Sequence, residues 1–178
     1  MFDIKISYLV CLVVHVLCVE GIPSWCYQPP GSDCTWYKQC LAKRFPCEAN
    51  NDSYAVSFGD KICNDFTKQR SLFSDVGQQW IDTTRACLQK QLASILSAPT
   101  STSCDDIRTF AFNTHAQCYN NPPIGCPSFC ELLFSDWLRI AWIVKSSFVL
   151  ETVRTSYQVT EILGLCIRKL YLQFFLFD

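Results

Sequence analysis

The chain has 178 residues, enough for one domain with a substantial core, and carries a formal net charge of −1 with 17% charged side chains. That balance offers no basic footprint for nucleic acid, while 49% apolar residues and a mean hydropathy of +0.12 exclude a disordered tail or linker. Thirteen cysteines against two histidines set the tighter limit on chemistry.

Residues 1–21 are expected to be a signal peptide. The run Ile6 to Val19 is apolar apart from Ser7 and His15, Lys5 is the basic residue ahead of it, and Val19-Glu20-Gly21 has compact residues where signal cleavage reads the chain. The run is short for a membrane span and Pro23 closes it, so no membrane span is expected. Cleavage removes Cys11, Cys18 and His15 and leaves 14 basic residues, 14 acidic residues, one histidine and eleven cysteines. In the oxidising secretory compartment those thiols become disulfides rather than metal ligands. Eleven is odd, so five bridges leave one thiol to pair between chains or stay free. The expected location is secreted and extracellular.

Segment 22–32, IPSWCYQPPGS, reads as an extended proline-rich arm. Asp33 can cap a short helix reaching about Arg44, which Pro46 ends. Asn50 to Ser53 is a polar turn and helix start, and Ala55, Phe58, Ile62 and Phe66 follow at helical spacing. A third helix begins at Ser74 or Asp75 and stops at Pro99. Trp80, Ile81, Thr84, Leu88, Leu92 and Ile95 lie along its inner face. After the loop Ser97 to Ser103, Ser103 and Asp106 have capping-box spacing, and Ile107, Ala111, His115 and Cys118 share one helical face. Tyr119 to Gly125 is a turn. Ser128 and Glu131 make a second capping box. It opens a long periodic segment from about Phe129 to Leu163, with Trp137, Leu138, Ala141, Trp142, Val149 and Val153 among its apolar positions and a bend at Ser146-Ser147. No stretch alternates with period two long enough to need a strand. The expected fold is all-α, a bundle of about five helices stapled by disulfides into one cysteine-rich domain over residues 22–166. The apolar tail 167–178, with Leu170 to Phe177 almost unpunctuated, follows it, and its pattern does not assign it to the domain.

After signal cleavage every histidine mechanism has to run through His115. There is no G-x-S-x-G, no P-loop and no Gly-rich dinucleotide turn. His115-Ala116-Gln117-Cys118-Tyr119 partly resembles the H-D-x-C-Y helix of secreted phospholipases A2, where the histidine activates water and the aspartate binds calcium. Here Ala116 stands in the aspartate's place and no Gly-rich calcium loop precedes it, which leaves a degenerate phospholipase as the enzyme alternative. The plainer reading of His115 is a structural histidine on the face of Ile107 and Ala111. Asp105-Asp106 would suit calcium, but their place in the first turn of a helix explains them through the helix dipole. No catalytic residue, metal ligand or cofactor is expected, and the chain is expected not to be an enzyme. Asn51-Asp52-Ser53 is an N-glycosylation sequon. Trp36, Trp80, Trp137 and Trp142 each lie on an apolar stripe and are expected in the core.

The cysteine spacing is the specific signal. From Cys63 it runs C-x23-C-x16-C-x13-C-Y-x6-C through Cys87, Cys104, Cys118-Tyr119 and Cys126, with Phe66, Phe73, Gly77 and Trp80 inside the first interval. This resembles the stanniocalcins, secreted disulfide-linked glycoprotein hormones. Their central C-x2-F-x6-F-x3-G-x2-aromatic stretch is closed by a cysteine at the same distance, and they share the later Cys-Tyr and the mature total of eleven cysteines. The resemblance covers residues 26–126 and is carried mostly by 63–126. Before Cys63 the cysteine order is kept while the spacings drift.

Carried over by cysteine order, the family connectivity implies Cys26–Cys40, Cys34–Cys63, Cys47–Cys104 and Cys87–Cys118. By position it implies Cys126–Cys166 with Cys130 as the odd, interchain thiol; pairing by count instead joins Cys126 to Cys130 and frees Cys166. The family's sequon lies one cysteine interval earlier than Asn51. The resemblance further implies a hormone-like homodimer that acts in calcium and phosphate homeostasis through an extracellular receptor. Some members inhibit a secreted metalloprotease, which makes a protease the alternative partner.

Overall fold

The computed structural model describes residues 21–47, 54–120, 123, 125–150, 160 and 162–168. The expected signal peptide up to Glu20, the Asn51 sequon and the tail from Lys169 onward lie outside the described residues. Everything described is helix, turn or irregular chain, and no strand occurs among these residues. The fold is all-α, with its helices stapled by disulfides.

The N-terminal arm departs from the extended chain expected of it. Ser24–Tyr27 coil into a 3-10 turn that buries Cys26 completely. Gly31 adopts φ 77°, and a Cβ there would meet Ala86 at 2.5 Å, so this glycine both turns the chain and lets it lie on the third helix. Asp33 accepts from the Thr35 backbone N–H (2.9 Å) and hydroxyl (2.7 Å), an Asx turn that leads into helix α1, residues 36–44 with the π-helical stretch Tyr37–Ala42 at its centre. Arg44 closes it by donating to the carbonyls of Leu96 (3.0 Å) and Ala98 (2.6 Å).

Helix α2 starts as a second π-helical stretch, Ala55–Asp60, and continues as α-helix over Lys61–Gln69. The two π-helical stretches pack on each other. A Cβ on Gly59 would collide with the Tyr37 ring, 2.5 Å from its Cε1, and Lys38 pairs with Asp60 at 2.7 Å. After the 3-10 turn Arg70–Leu72, α3 spans Asp75–Ala93 and tightens into the 3-10 turn Ser94–Ser97. Ser74 is its N-cap, accepting from the Gly77 N–H at 3.1 Å. Helix α4, Cys104–Asn120, is opened by the capping box: the Ser103 hydroxyl donates to Asp106 (2.6 Å) and accepts from the Asp106 N–H (3.1 Å).

The long segment expected from Phe129 is divided. The Ser128/Glu131 capping box is present, but it closes only the 3-10 turn Phe129–Glu131, after which Leu132 is extended and α5 runs from Phe134 to Leu150. Ser146 and Ser147 lie inside α5, which continues through the expected bend. A further helical stretch, α6, covers 162–168. No helix among the described residues is long and apolar enough to cross a membrane.

Five disulfides crosslink these elements: Cys26–Cys40, Cys34–Cys63, Cys47–Cys104, Cys87–Cys118 and Cys130–Cys166. The last corrects the expected Cys126–Cys166. The capped turn Phe129–Glu131 holds Cys130 with its Cα 5.2 Å from that of Cys166, inside the range a disulfide needs. Cys126 follows the turn at Gly125 (φ 86°), its N–H bound to the Pro123 carbonyl, and is the free, half-buried thiol in place of Cys130. So many bridges mark a chain that folds in an oxidising, secretory or extracellular environment.

Two apolar clusters form the core. One surrounds the N-terminal cystines with Trp36, Leu41, Phe45, Tyr54, Leu92, Leu96 and Phe112; the other gathers Ile62, Phe66, Phe73, Trp80, Ile81, Ile140 and Ile143. Phe58 packs against both. Trp36 and Trp80 are core as expected, and Trp137 is half-buried with its indole N–H on the Phe129 carbonyl (3.0 Å). Trp142 is not core: it is 64% exposed, with the Lys145 ammonium 2.8 Å over its ring.

Candidate functional site

The seam between the two clusters is where polar chemistry collects. Tyr37 comes from α1, Tyr54 and Phe58 from the start of α2, Trp80, Thr84 and Arg85 from α3, and His115 and Tyr119 from α4. Together they surround a cavity of about 30 Å³, room for a water or an ion of similar size. The helical period places them there. Trp80 and Thr84 are one turn apart on α3, and His115 and Tyr119 one turn apart on α4, so each pair faces the same seam.

His115 is 2% exposed. Phe58 and Tyr119 stack on its ring at 5.8 and 5.4 Å between centroids, Phe112 meets it edge-on, and its Nε2 lies 3.4 Å from the Tyr54 hydroxyl. These contacts are those of a packed, hydrogen-bonded histidine, on the α4 face that also carries the buried Ile107 and Ala111. Among the described residues no group of three His, Cys, Asp or Glu side chains is placed to share a metal ion, and Asp106 is engaged in the α4 cap.

Tyr37 and Tyr54 are almost fully buried, and Tyr119 is half-buried beside them. Burial, which penalises the phenolate, pushes Tyr37, Tyr54 and Tyr119 well above the ordinary phenol range. For Tyr37 the neighbouring Tyr119 adds to this and the nearby Arg85 guanidinium opposes it. Protonated phenols are hydrogen-bond donors, so the walls of the cavity carry three of them.

Arg85 is nearly buried and divided in its contacts. One terminal nitrogen donates to the Thr67 hydroxyl (2.5 Å), the other to Asp82 (3.1 Å), and its Nε is without a hydrogen-bond partner. Thr84 Oγ1, also buried, has none either. Asp82 is shared: Arg70 grips the same carboxylate at 2.6 Å, and this hydrogen bond is the chief cause of its carboxyl lying below the ordinary carboxylate range. Sequence reasoning placed Thr84 on the inner face of α3 and singled out His115, but it missed Arg85, Tyr37, Tyr54 and Tyr119 as one group. An arginine in the middle of an otherwise apolar helix face is the signal that could have found it.

Compared with models of protein families, with curated proteins and with solved structures, the chain matches none.

Proposed function

We propose that this chain is a secreted, stanniocalcin-like signalling protein that works as a disulfide-linked homodimer through extracellular protein partners, with calcium and phosphate balance as its physiological field. The observation that supports this best is the crosslinking pattern. Cys26–Cys40, Cys34–Cys63, Cys47–Cys104 and Cys87–Cys118 are the pairs that the family order implies, and among the described residues one cysteine, Cys126, is left free. Four nested or overlapping bridges admit many alternative pairings, so agreement on this set is more specific than agreement on a spacing motif.

The surface agrees with a partner-binding role. Phe134, Leu138 and Trp142 recur every four residues along α5 and are 71%, 57% and 64% exposed, which lines one face of that helix with large apolar side chains. Cys126 stands eight residues ahead of Phe134, near enough in the chain for an interchain bridge and this face to serve one interface with a second copy.

The test is electrophoresis and mass analysis of the protein secreted by eukaryotic cells. The wild type should run as a dimer that collapses to monomer on reduction, and Cys126→Ser should be secreted as a monomer with all five internal bridges intact. Labelled dimer should bind epithelial cells saturably and change calcium or phosphate uptake. A wild-type monomer whose Cys126 is freely alkylated would overturn the dimer, and absence of competed binding to any cell would overturn the hormone reading.

A further inference from the structure

The cavity at the cluster seam is lined mostly by apolar surface with a few polar side chains set into it. Its occupant can be read from charge and from donor count. Thr84 and Arg85 are 5% and 9% exposed, and both present a polar atom that nothing in the protein satisfies. Leaving such an atom buried and unpaired is costly, so each calls for a partner that the protein does not supply. The other polar walls are the Tyr37, Tyr54 and Tyr119 phenols and the His115 ring. The Tyr54 hydroxyl is already paired with His115 Nε2, which leaves the Arg85 Nε–H, the Thr84 hydroxyl and the Tyr37 and Tyr119 phenols as donors, and no carboxylate lines the cavity.

The charges around it lean the same way. Asp60, which faces Tyr37, is neutralised by Lys38 at 2.7 Å. Asp82 is one carboxylate between two guanidiniums, Arg70 at 2.6 Å and Arg85 at 3.1 Å, so this group holds one positive charge in excess. Arg85, whose Nε–H is unpartnered, is the member of this group that lines the cavity.

We infer that this cavity is a binding site for a single small monoanion of halide size, held by Arg85 Nε and Thr84 Oγ1 with the Tyr37 and Tyr119 hydroxyls closing over it. A water molecule also fits the space, and the hydroxyls can accept from it, but it carries no charge; an anion accepts from the Arg85 Nε–H and the hydroxyls and answers the excess charge of the Arg70–Asp82–Arg85 group. Bound there, the anion ties α1, α3 and α4 together at the junction of the two apolar clusters, which makes halide a structural ligand of the fold.

Two measurements on the secreted, fully oxidised protein test this. Crystals soaked in bromide should show an anomalous peak within hydrogen-bonding distance of Arg85 Nε and Thr84 Oγ1. In solution, Tm should rise as bromide or chloride replaces gluconate at constant ionic strength, with a saturable dependence. Thr84→Val removes only a hydroxyl that bonds no protein group, so it should leave Tm in gluconate unchanged and weaken the halide dependence at least tenfold; Tyr37→Phe provides the same comparison from the opposite wall. An ordered water in the cavity with no anomalous signal, or equal Tm in all salts, would overturn the site. So would a halide dependence that survives both substitutions, since the ion would then act elsewhere.

Discussion

Single residues in this fold are committed by what surrounds them, and the buried tyrosines show it most directly. Their phenols stay protonated in the folded chain above the pH at which they would ionise in an unfolded one, because burial disfavours the phenolate. A group whose pKa is raised on folding contributes stability that is complete below its unfolded value and is lost as pH rises beyond it. The unfolded phenol value is about 10, so stability should hold up to that pH and then fall by roughly 1.4 kcal/mol per unit for each enclosed tyrosine. Tyrosinate absorbance and helical circular dichroism, recorded together within minutes of an alkaline jump, should show one cooperative step in which ionisation and unfolding coincide. Independent titration of all the tyrosines near pH 10 with the helices intact would contradict the burial of Tyr37 and Tyr54. Sequence placed Phe58 on a helical stripe without revealing this enclosure, because the tyrosines come from three helices and nothing local relates them.

Between elements, the junction of α3 with α5 rests on one carboxylate. Asp136, in the first turn of α5, is fully buried and accepts from the Ser74 N–H (3.1 Å) and from the Ser74 hydroxyl (2.6 Å), the same hydroxyl that caps α3. Gly77 leaves the space for it: a Cβ there would stand 2.8 Å from Asp136 Oδ2. An anion at the positive end of α3 gains from the helix dipole as well as from its hydrogen bonds. Ser74→Ala should cost about 1 kcal/mol as a lost cap, and Asp136→Ala about 2 kcal/mol as a lost charged acceptor. In a double-mutant cycle by urea unfolding, the pair should couple by at least ~1 kcal/mol, and additive losses would mean that the two side chains act separately. The Ser74 cap was legible in the sequence. Its partner, sixty-two residues away, was not, since capping-box spacing reports only what lies within one turn. The same limit explains the Ser128/Glu131 box. The spacing is real, yet the turn it closes stops at Glu131 because the chain must extend at Leu132 to bury that side chain before α5 begins.

For the whole molecule, the disulfides contribute unequally. Cys47–Cys104 closes the longest stretch of chain, a separation of 57 residues, and joins the end of α1 to the start of α4. Chain-entropy reasoning assigns such a closure about 4 kcal/mol. The double variant Cys47→Ala with Cys104→Ala should lose on the order of 2–4 kcal/mol in urea unfolding and retain α3 packed on α4, which Cys87–Cys118 ties independently. A loss below about 0.5 kcal/mol would show that the unfolded chain is already compact without that bridge. Cys130–Cys166 acts at another place in the fold, where it anchors α6 beside the start of α5, near the exposed stripe of Phe134, Leu138 and Trp142.

The sequence by itself determined the helical class, the starts of α3 and α4, the oxidised state of the cysteines and the oddness of their number. These follow from apolar period, from caps acting within a turn and from counting, all of which are local or global properties that need no coordinates. Tertiary structure alone decided which thiol is odd. Spacing favours Cys126 as the partner of Cys166, and only the capped turn that brings Cys130 to 5.2 Å from Cys166 overturns that. It alone decided that Trp142 faces outward, because the apolar pattern of α5 runs around most of the helix and does not say which side the core takes. And it alone assembled Tyr37, Tyr54, Thr84, Arg85, His115 and Tyr119 around one cavity, since a site built from four segments exists only once the helices have packed.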